Sequence, residues 1–230
     1  MNEPLRLAVR RLFHAHRDDR DWYDLEDDLV KLLKGHPDRE VEIAAELVSL
    51  VGDQRYDWRA GLDALVTVES VAGVAALAAR LKHCRSTSDE CDALVDALLR
   101  LRAPQHRNEL AKYVAAAASE RRDAALTLVG SLAFVDPEAA ARLTVTDLRD
   151  EIVRGLERGN MTLAVLVARF AMAGNGALDV LLKRAKAEWR WPHRRWLQAL
   201  VDLLSDWESR RDDKVRAELQ RALASSGMVD

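Results

Sequence analysis

Two stretches of this 230-residue sequence concentrate side chains that could do chemistry. Positions 18 to 28 hold Asp18, Asp19, Asp21, Asp24, Glu26, Asp27 and Asp28, with Trp22 and Tyr23 between them. Carboxylates three or four positions apart share one face of a helix, as a general acid/base pair or a cation site requires. Two other readings compete with catalysis. Acids gather where a solvated helix begins, because the positive end of its dipole favours them. They also make, with neighbouring aromatics, a negative surface that docks a basic partner. No nucleophile or metal partner accompanies the acids, so docking is the functional reading carried forward, with Asp21, Trp22, Tyr23, Asp24, Asp27 and Asp28 as its candidates.

The opposite pole comes late in the chain. Lys183, Arg184, Lys186, Arg190, Arg194 and Arg195 stand against Glu188 alone, interleaved with Trp189, Trp191 and Trp196 and with His193 beside them. Cations and aromatics together clamp phosphates and stack on bases or on a partner's side chains. Trp189, Trp196 and Trp207 are seven and eleven positions apart, close to whole numbers of helical turns. That spacing suits core filling. Trp191, next to Pro192 at an expected corner, is open to either use. The candidates for a basic partner surface are Lys186, Arg190, Trp191, His193, Arg194 and Arg195.

Other chemistry is hard to place. There is no glycine-rich phosphate loop, and Gly174-Asn175-Gly176 reads as a turn or a helix cap. No serine stands in a nucleophile-elbow pattern. His83, Cys84 and Cys91, with the distant His106, offer zinc-like ligands at a spacing that matches no finger. The two cysteines are expected to be small buried apolar residues at helix ends, in a reducing compartment. No metal, cofactor or catalytic residue is therefore expected.

The elements that position these residues are helical throughout. Apolar side chains recur at three- and four-residue spacing: Leu5, Val9 and Phe13; Leu25, Leu29 and Leu33; Ile43, Leu47 and Val48. Apolar residues are 49% of the chain, mostly Ala, Leu and Val, with only five Pro and ten Gly. That mixture favours helices over a many-turned β sandwich. First helices are expected to begin near Pro37, Ser70, Pro104, Pro137 and Gly176, and second helices near Trp58, Asp89, Arg121, Met161 and Pro192. The expectation is an all-α chain of about thirteen helices. No Pro/Gly/Ser-rich linker divides it, so residues 1–230 are expected to form one domain.

Both series of starts advance at intervals typical of two-helix repeats. The second helices also look alike, as Ala93-Leu94-Val95-Asp96-Ala97-Leu98-Leu99 beside Leu197 to Leu204 shows. In this the sequence resembles HEAT-like and armadillo-like helical repeat proteins. The resemblance implies a right-handed stack of antiparallel helix pairs, an α-solenoid whose extended surface binds macromolecules rather than catalyses. HEAT-like folds also include DNA alkylation-repair glycosylases. Trp58 with Asp63 is the nearest arrangement to that family's catalytic aspartate and its Trp neighbours, and it matches poorly.

Charge limits the partners. The net charge is −3, against the large basic excess usual for nucleic-acid binders. Acid dominates the first 69 residues, with 16 acids to 10 bases, and base dominates 183 to 195. No apolar run approaches the roughly 18 residues that span a bilayer, so no membrane partner and a cytoplasmic location are expected. The resulting expectation is a protein-binding module, with a bacterial immunity or antitoxin protein and a scaffold as concrete versions. Nucleic-acid binding through 183–196 is the alternative, and an all-α enzyme with an unrecognised site is the third.

Overall fold

Short helices with one apolar stripe must bury that stripe against neighbours, because a helix of ten or so residues is marginal alone in water. The computed structural model describes residues 3–15, 22–84, 88–120, 122–158, 161–188 and 213–225. Among them are thirteen α-helices and no strand. In order they are α1 (Glu3–Ala15), α2 (Trp22–Gly35), α3 (Glu40–Ser49), α4 (Trp58–Thr67), α5 (Val71–Leu81), α6 (Asp89–Arg100), α7 (Arg107–Glu120), α8 (Arg122–Leu132), α9 (Pro137–Val145), α10 (Arg149–Arg158), α11 (Met161–Ala173), α12 (Ala177–Glu188) and α13 (Asp213–Ser225). Single 3-10 turns at Pro37–Arg39 and Pro104–His106 lead into α3 and α7. The chain divides into two compact units, Met1–Ala103 and Pro104–Asp230.

The expected helix starts agree with these bounds to within one residue or a leading 3-10 turn; Pro192 lies outside the described residues. The signals are local. Ser70 Oγ accepts from the Gly73 N–H at 2.8 Å, and Asp136 Oδ1 from the Ala139 N–H at 3.1 Å, each satisfying a first-turn donor. The ends of α4 and α6 match each other. Glu69 and Arg102 take left-handed φ values of 54° and 52°, and the next amides, Ser70 and Ala103, reach back to the Leu65 and Leu98 carbonyls at 3.0 and 3.2 Å. Each is a closure of the Schellman type, which satisfies carbonyls left over at a helix end.

In the first unit α1, α3 and α5 touch in sequence, as do α2, α4 and α6, and each odd helix also touches the even helix that follows it. Leu29, Leu47, Leu65, Leu77, Leu94 and Leu98 are fully buried between the two rows. One carboxylate joins them: Glu46, on α3, is 1% exposed. Arg10 Nε donates to it at 2.8 Å, and Arg6 Nε lies at 3.3 Å. Both arginines come from α1, and both keep contact with solvent. Their pairing compensates a charge that burial alone would penalise heavily.

The second unit departs from next-but-one contact. Here α8 packs on α11 and α9 on α12, so α10 stands as an extra helix between the partners. The α8–α11 approach is close because position 130 has no side chain. A Cβ there would lie 2.9 Å from Arg169 Cβ and 3.2 Å from the Leu166 backbone. Asp136 ties α9 to α7 by accepting from Arg107 Nη2 at 2.8 Å. Burial raises the Asp136 carboxyl, but Arg107 and the Ala139 amide outweigh it and hold it below its ordinary value.

Two substitutions test this packing by urea denaturation. Gly130→Ala should lower stability by about 1–3 kcal/mol, since backbone faces the new methyl. Glu46→Ala should lower it by about 2 kcal/mol, since a paired buried carboxylate is lost while its arginines return to water. Neutral results would mean that α8 and α11, or α1 and α3, are not packed in this way.

Candidate functional site

On α2 the apolar stripe faces inward and the acids face out. Leu25, Leu29 and Leu33 are 3, 0 and 3% exposed, whereas Asp24 and Asp27 are exposed. Asp28 is half-buried, and its carboxylate accepts from Lys31 Nζ at 2.8 Å, one turn on. Trp22 and Tyr23 open α2, and Asp21 lies outside the described residues. Of the predicted acidic surface, the structure therefore brings Asp24, Asp27 and Asp28 to one helix face.

That face continues onto the next two helices of the row. Thr67 Oγ1, at the end of α4, donates to Glu26 Oε1 at 2.8 Å and joins α4 to α2. One turn earlier on α4, Asp63 receives Arg100 Nη1 of α6, and the same nitrogen lies 3.8 Å from Asp96. Asp89, Asp92 and Asp96 follow one side of α6 at helical spacing, with Asp89 exposed and the other two half-buried. Acids thus run across α2, α4 and α6, with Lys31, Lys34, Arg59 and Arg100 as the interspersed bases.

The Glu26 carboxyl, part-buried against α4, is raised above its ordinary value. Burial raises its pKa most, the Thr67 hydroxyl opposes that, and the Asp63 charge raises it again. Arg100 must serve several carboxylates from one mostly buried guanidinium, whose Nε has no hydrogen-bond partner. Among the described residues, the acids named on this face outnumber its four bases.

An open cleft of about 370 Å³ lies where α4 and α6 begin. Asp57, Trp58, Arg59, Asp89 and Glu90 line it, and the Arg59 guanidinium stacks 5.0 Å from the Trp58 ring centroid. An aromatic face beside carboxylates is the chemistry that holds an ammonium or guanidinium group. The row made by α1, α3 and α5 is different in kind. It exposes the apolar side chains Leu7, Val41 and Val71.

The predicted basic surface is only partly in view. Lys183 and Lys186 are exposed on α12, and Arg184 lies 3.8 Å from Glu138 of α9. Asp179, Lys183, Arg184 and Glu138 line a second open cleft of about 430 Å³, in which both signs of charge meet. Arg190, Trp191, His193, Arg194 and Arg195 lie outside the described residues.

Two features escaped the sequence reading. From sequence Asp89 marks a helix start, Asp96 falls in a repeat pattern and Asp92 is not singled out, although the spacing of 89, 92 and 96 places them on one face. The cysteines were read as separate buried apolar residues, and this is corrected: Cys84 and Cys91 are joined by a disulfide. Their separation of seven, straddling the connection from α5 to α6, was the available signal. Among the described residues no cluster of His, Cys, Asp and Glu is placed to hold a metal ion, and no helix is long and apolar enough to cross a membrane.

No family model matches the chain, and no curated protein or solved structure is significantly similar to it.

Replacing Glu26 by Gln keeps an acceptor for Thr67 and removes the ionisation penalty. The folded-state pKa lies above the ordinary 4.5, so the ionised carboxylate destabilises the fold at neutral pH. The variant should therefore melt higher than the parent at pH 7. The difference should fade as pH falls below 4.5, where both states of the parent are protonated. An unchanged difference across that range would show that the carboxyl is not perturbed.

Proposed function

We propose that this protein is a binding module whose acidic α2–α4–α6 face docks a lysine- and arginine-rich protein surface. The observation that carries the reading is the continuation of the acids of α2 across two further helices into an aromatic-walled cleft. Complementary charge of this kind steers association and selects partners. The cleft beside Trp58 would take one basic side chain as an anchor, since buried anchors supply most of an interface's energy. An immunity or antitoxin protein that neutralises a basic toxin is one form of such a module, and a scaffold is another.

The same proposal extends to architecture. Matching closures at Glu69-Ser70 and Arg102-Ala103, with ordered contact along both rows of the first unit, support a HEAT-like stack of helix pairs there. A stack leaves one face of each row open along its length.

Nucleic-acid binding through Lys183, Lys186 and the residues to 196 is the second reading. The mixed charge of the α9–α12 cleft argues against it, because Glu138 and Asp179 would face the phosphates. Catalysis is the third; the Ser70 hydroxyl, which donates to the Glu40 carboxylate, is committed to capping the Gly73 N–H.

Affinity capture from host lysate with the full chain, at low and at high salt, tests the reading. The wild type should retain a basic protein. Asp24→Lys/Asp27→Lys should lose it by at least about tenfold, while Arg190→Glu/Arg194→Glu/Arg195→Glu keeps it. Equal retention by the α2 variant would sink the acidic-face assignment. Nucleic acid that is captured at low salt, released at high salt and lost with the triple variant would establish the second reading instead.

A further inference from the structure

The disulfide between Cys84 and Cys91 is asymmetric in ways that bear on its chemistry. Cys91 belongs to the first turn of α6 and is 1% exposed, whereas Cys84, just beyond the end of α5, is half-exposed. Ser88 stands at the junction. Its Oγ accepts from the Cys91 N–H at 3.3 Å, lies 3.4 Å from Cys91 Sγ as donor, and sits 3.7 Å from Cys84 Sγ. Cys84 is thus the more exposed partner, and Cys91 sits at a helix N-terminus with a hydroxyl directed at its sulfur. Attack at the more exposed Cys84 leaves Cys91 as the leaving group.

The bond has little to hold together. It spans only seven positions, and the loop-entropy contribution of a crosslink falls as the loop shortens. The same junction is fastened without it. Arg80 Nη2 donates to the Val51 carbonyl at 3.1 Å and lies 3.9 Å from Glu90, whose carboxylate covers Gly52. Position 52 has a φ of 85°, a left-handed conformation that favours glycine, and the end of the Glu90 side chain lies over it. These contacts join α5, the turn at Val51 and α6 independently of the crosslink.

We propose that Cys84 and Cys91 form a thiol–disulfide exchange site whose substrates are low-molecular-weight thiols of the glutathione class. A thiolate RS⁻ attacks Cys84 Sγ. The new bond is Cys84–S–S–R, the Cys84–Cys91 bond breaks, and its electron pair leaves on Cys91 as a thiolate. A second RS⁻ then attacks the sulfur of R in the mixed disulfide, freeing Cys84 as a thiolate and releasing RSSR; protons from solvent complete both thiols. The protein disulfide is reduced by two electrons and two RSH are oxidised. In reverse, RSSR reoxidises the pair through the same mixed disulfide at Cys84.

The test follows the intact full chain by mass spectrometry. Protein purified without reductant should carry two hydrogens fewer than the dithiol form, and reduced glutathione should restore them with the circular dichroism unchanged. Cys91→Ser treated with oxidised glutathione should accumulate one glutathionyl group at Cys84. Cys84→Ser should take the group at Cys91 at least about tenfold more slowly. Peptide mapping of the wild-type mixed disulfide, trapped by acid early in reduction, gives the same assignment should either variant fail to fold. Two free thiols that oxidised glutathione does not join would overturn the proposal. So would a mixed disulfide on Cys91 at an equal rate, or loss of helical signal on reduction.

Discussion

None of these helices is long enough to persist by itself. The described ones run from 9 to 14 residues, where nucleation is barely recovered by propagation. Each therefore depends on the stripe it buries against its neighbours, and the placement of every surface group follows from that dependence. Leu25, Leu29 and Leu33 commit one side of α2 to the core, so Asp24 and Asp27 have only solvent or a partner to meet. The acidic face is in this sense the complement of the leucine stripe.

Charge is managed differently inside and outside the first unit. At Glu46 two arginines from one helix hold a single buried carboxylate, a local excess of cation that makes burial tolerable. Across α2, α4 and α6 the ratio is reversed, and one guanidinium on Arg100 is shared among neighbouring acids. A surface that neutralised itself would have no use for an external cation. On this one the named acids outnumber the named bases.

Much of the architecture was legible in the sequence because its determinants are short-range. Caps, prolines at helix starts and three-four spacing are all read within one turn of chain, and they placed helix starts from Pro37 to Gly176. The division into two units was not legible, because no linker composition marks position 103 and the break lies in contacts between distant residues. The site was half legible for the same reason. Acids consecutive on α2 could be seen, whereas the meeting of Glu26 with Thr67 and of Asp63 with Arg100 depends on which helices become neighbours. The pairing of Cys84 with Cys91 fell between these cases, local in sequence but dependent on α5 and α6 becoming neighbours.

The position of α10 in the chain sets the two units apart in how each must close. In the first unit each helix finds its partners one or two elements away, so the loops that must close are short and the search is brief. In the second, α8 and α9 wait for α11 and α12, and the chain must travel past α10 before either contact forms. The contacts of the first unit therefore close over short stretches of chain, whereas those of the second need α11 and α12 in place as well.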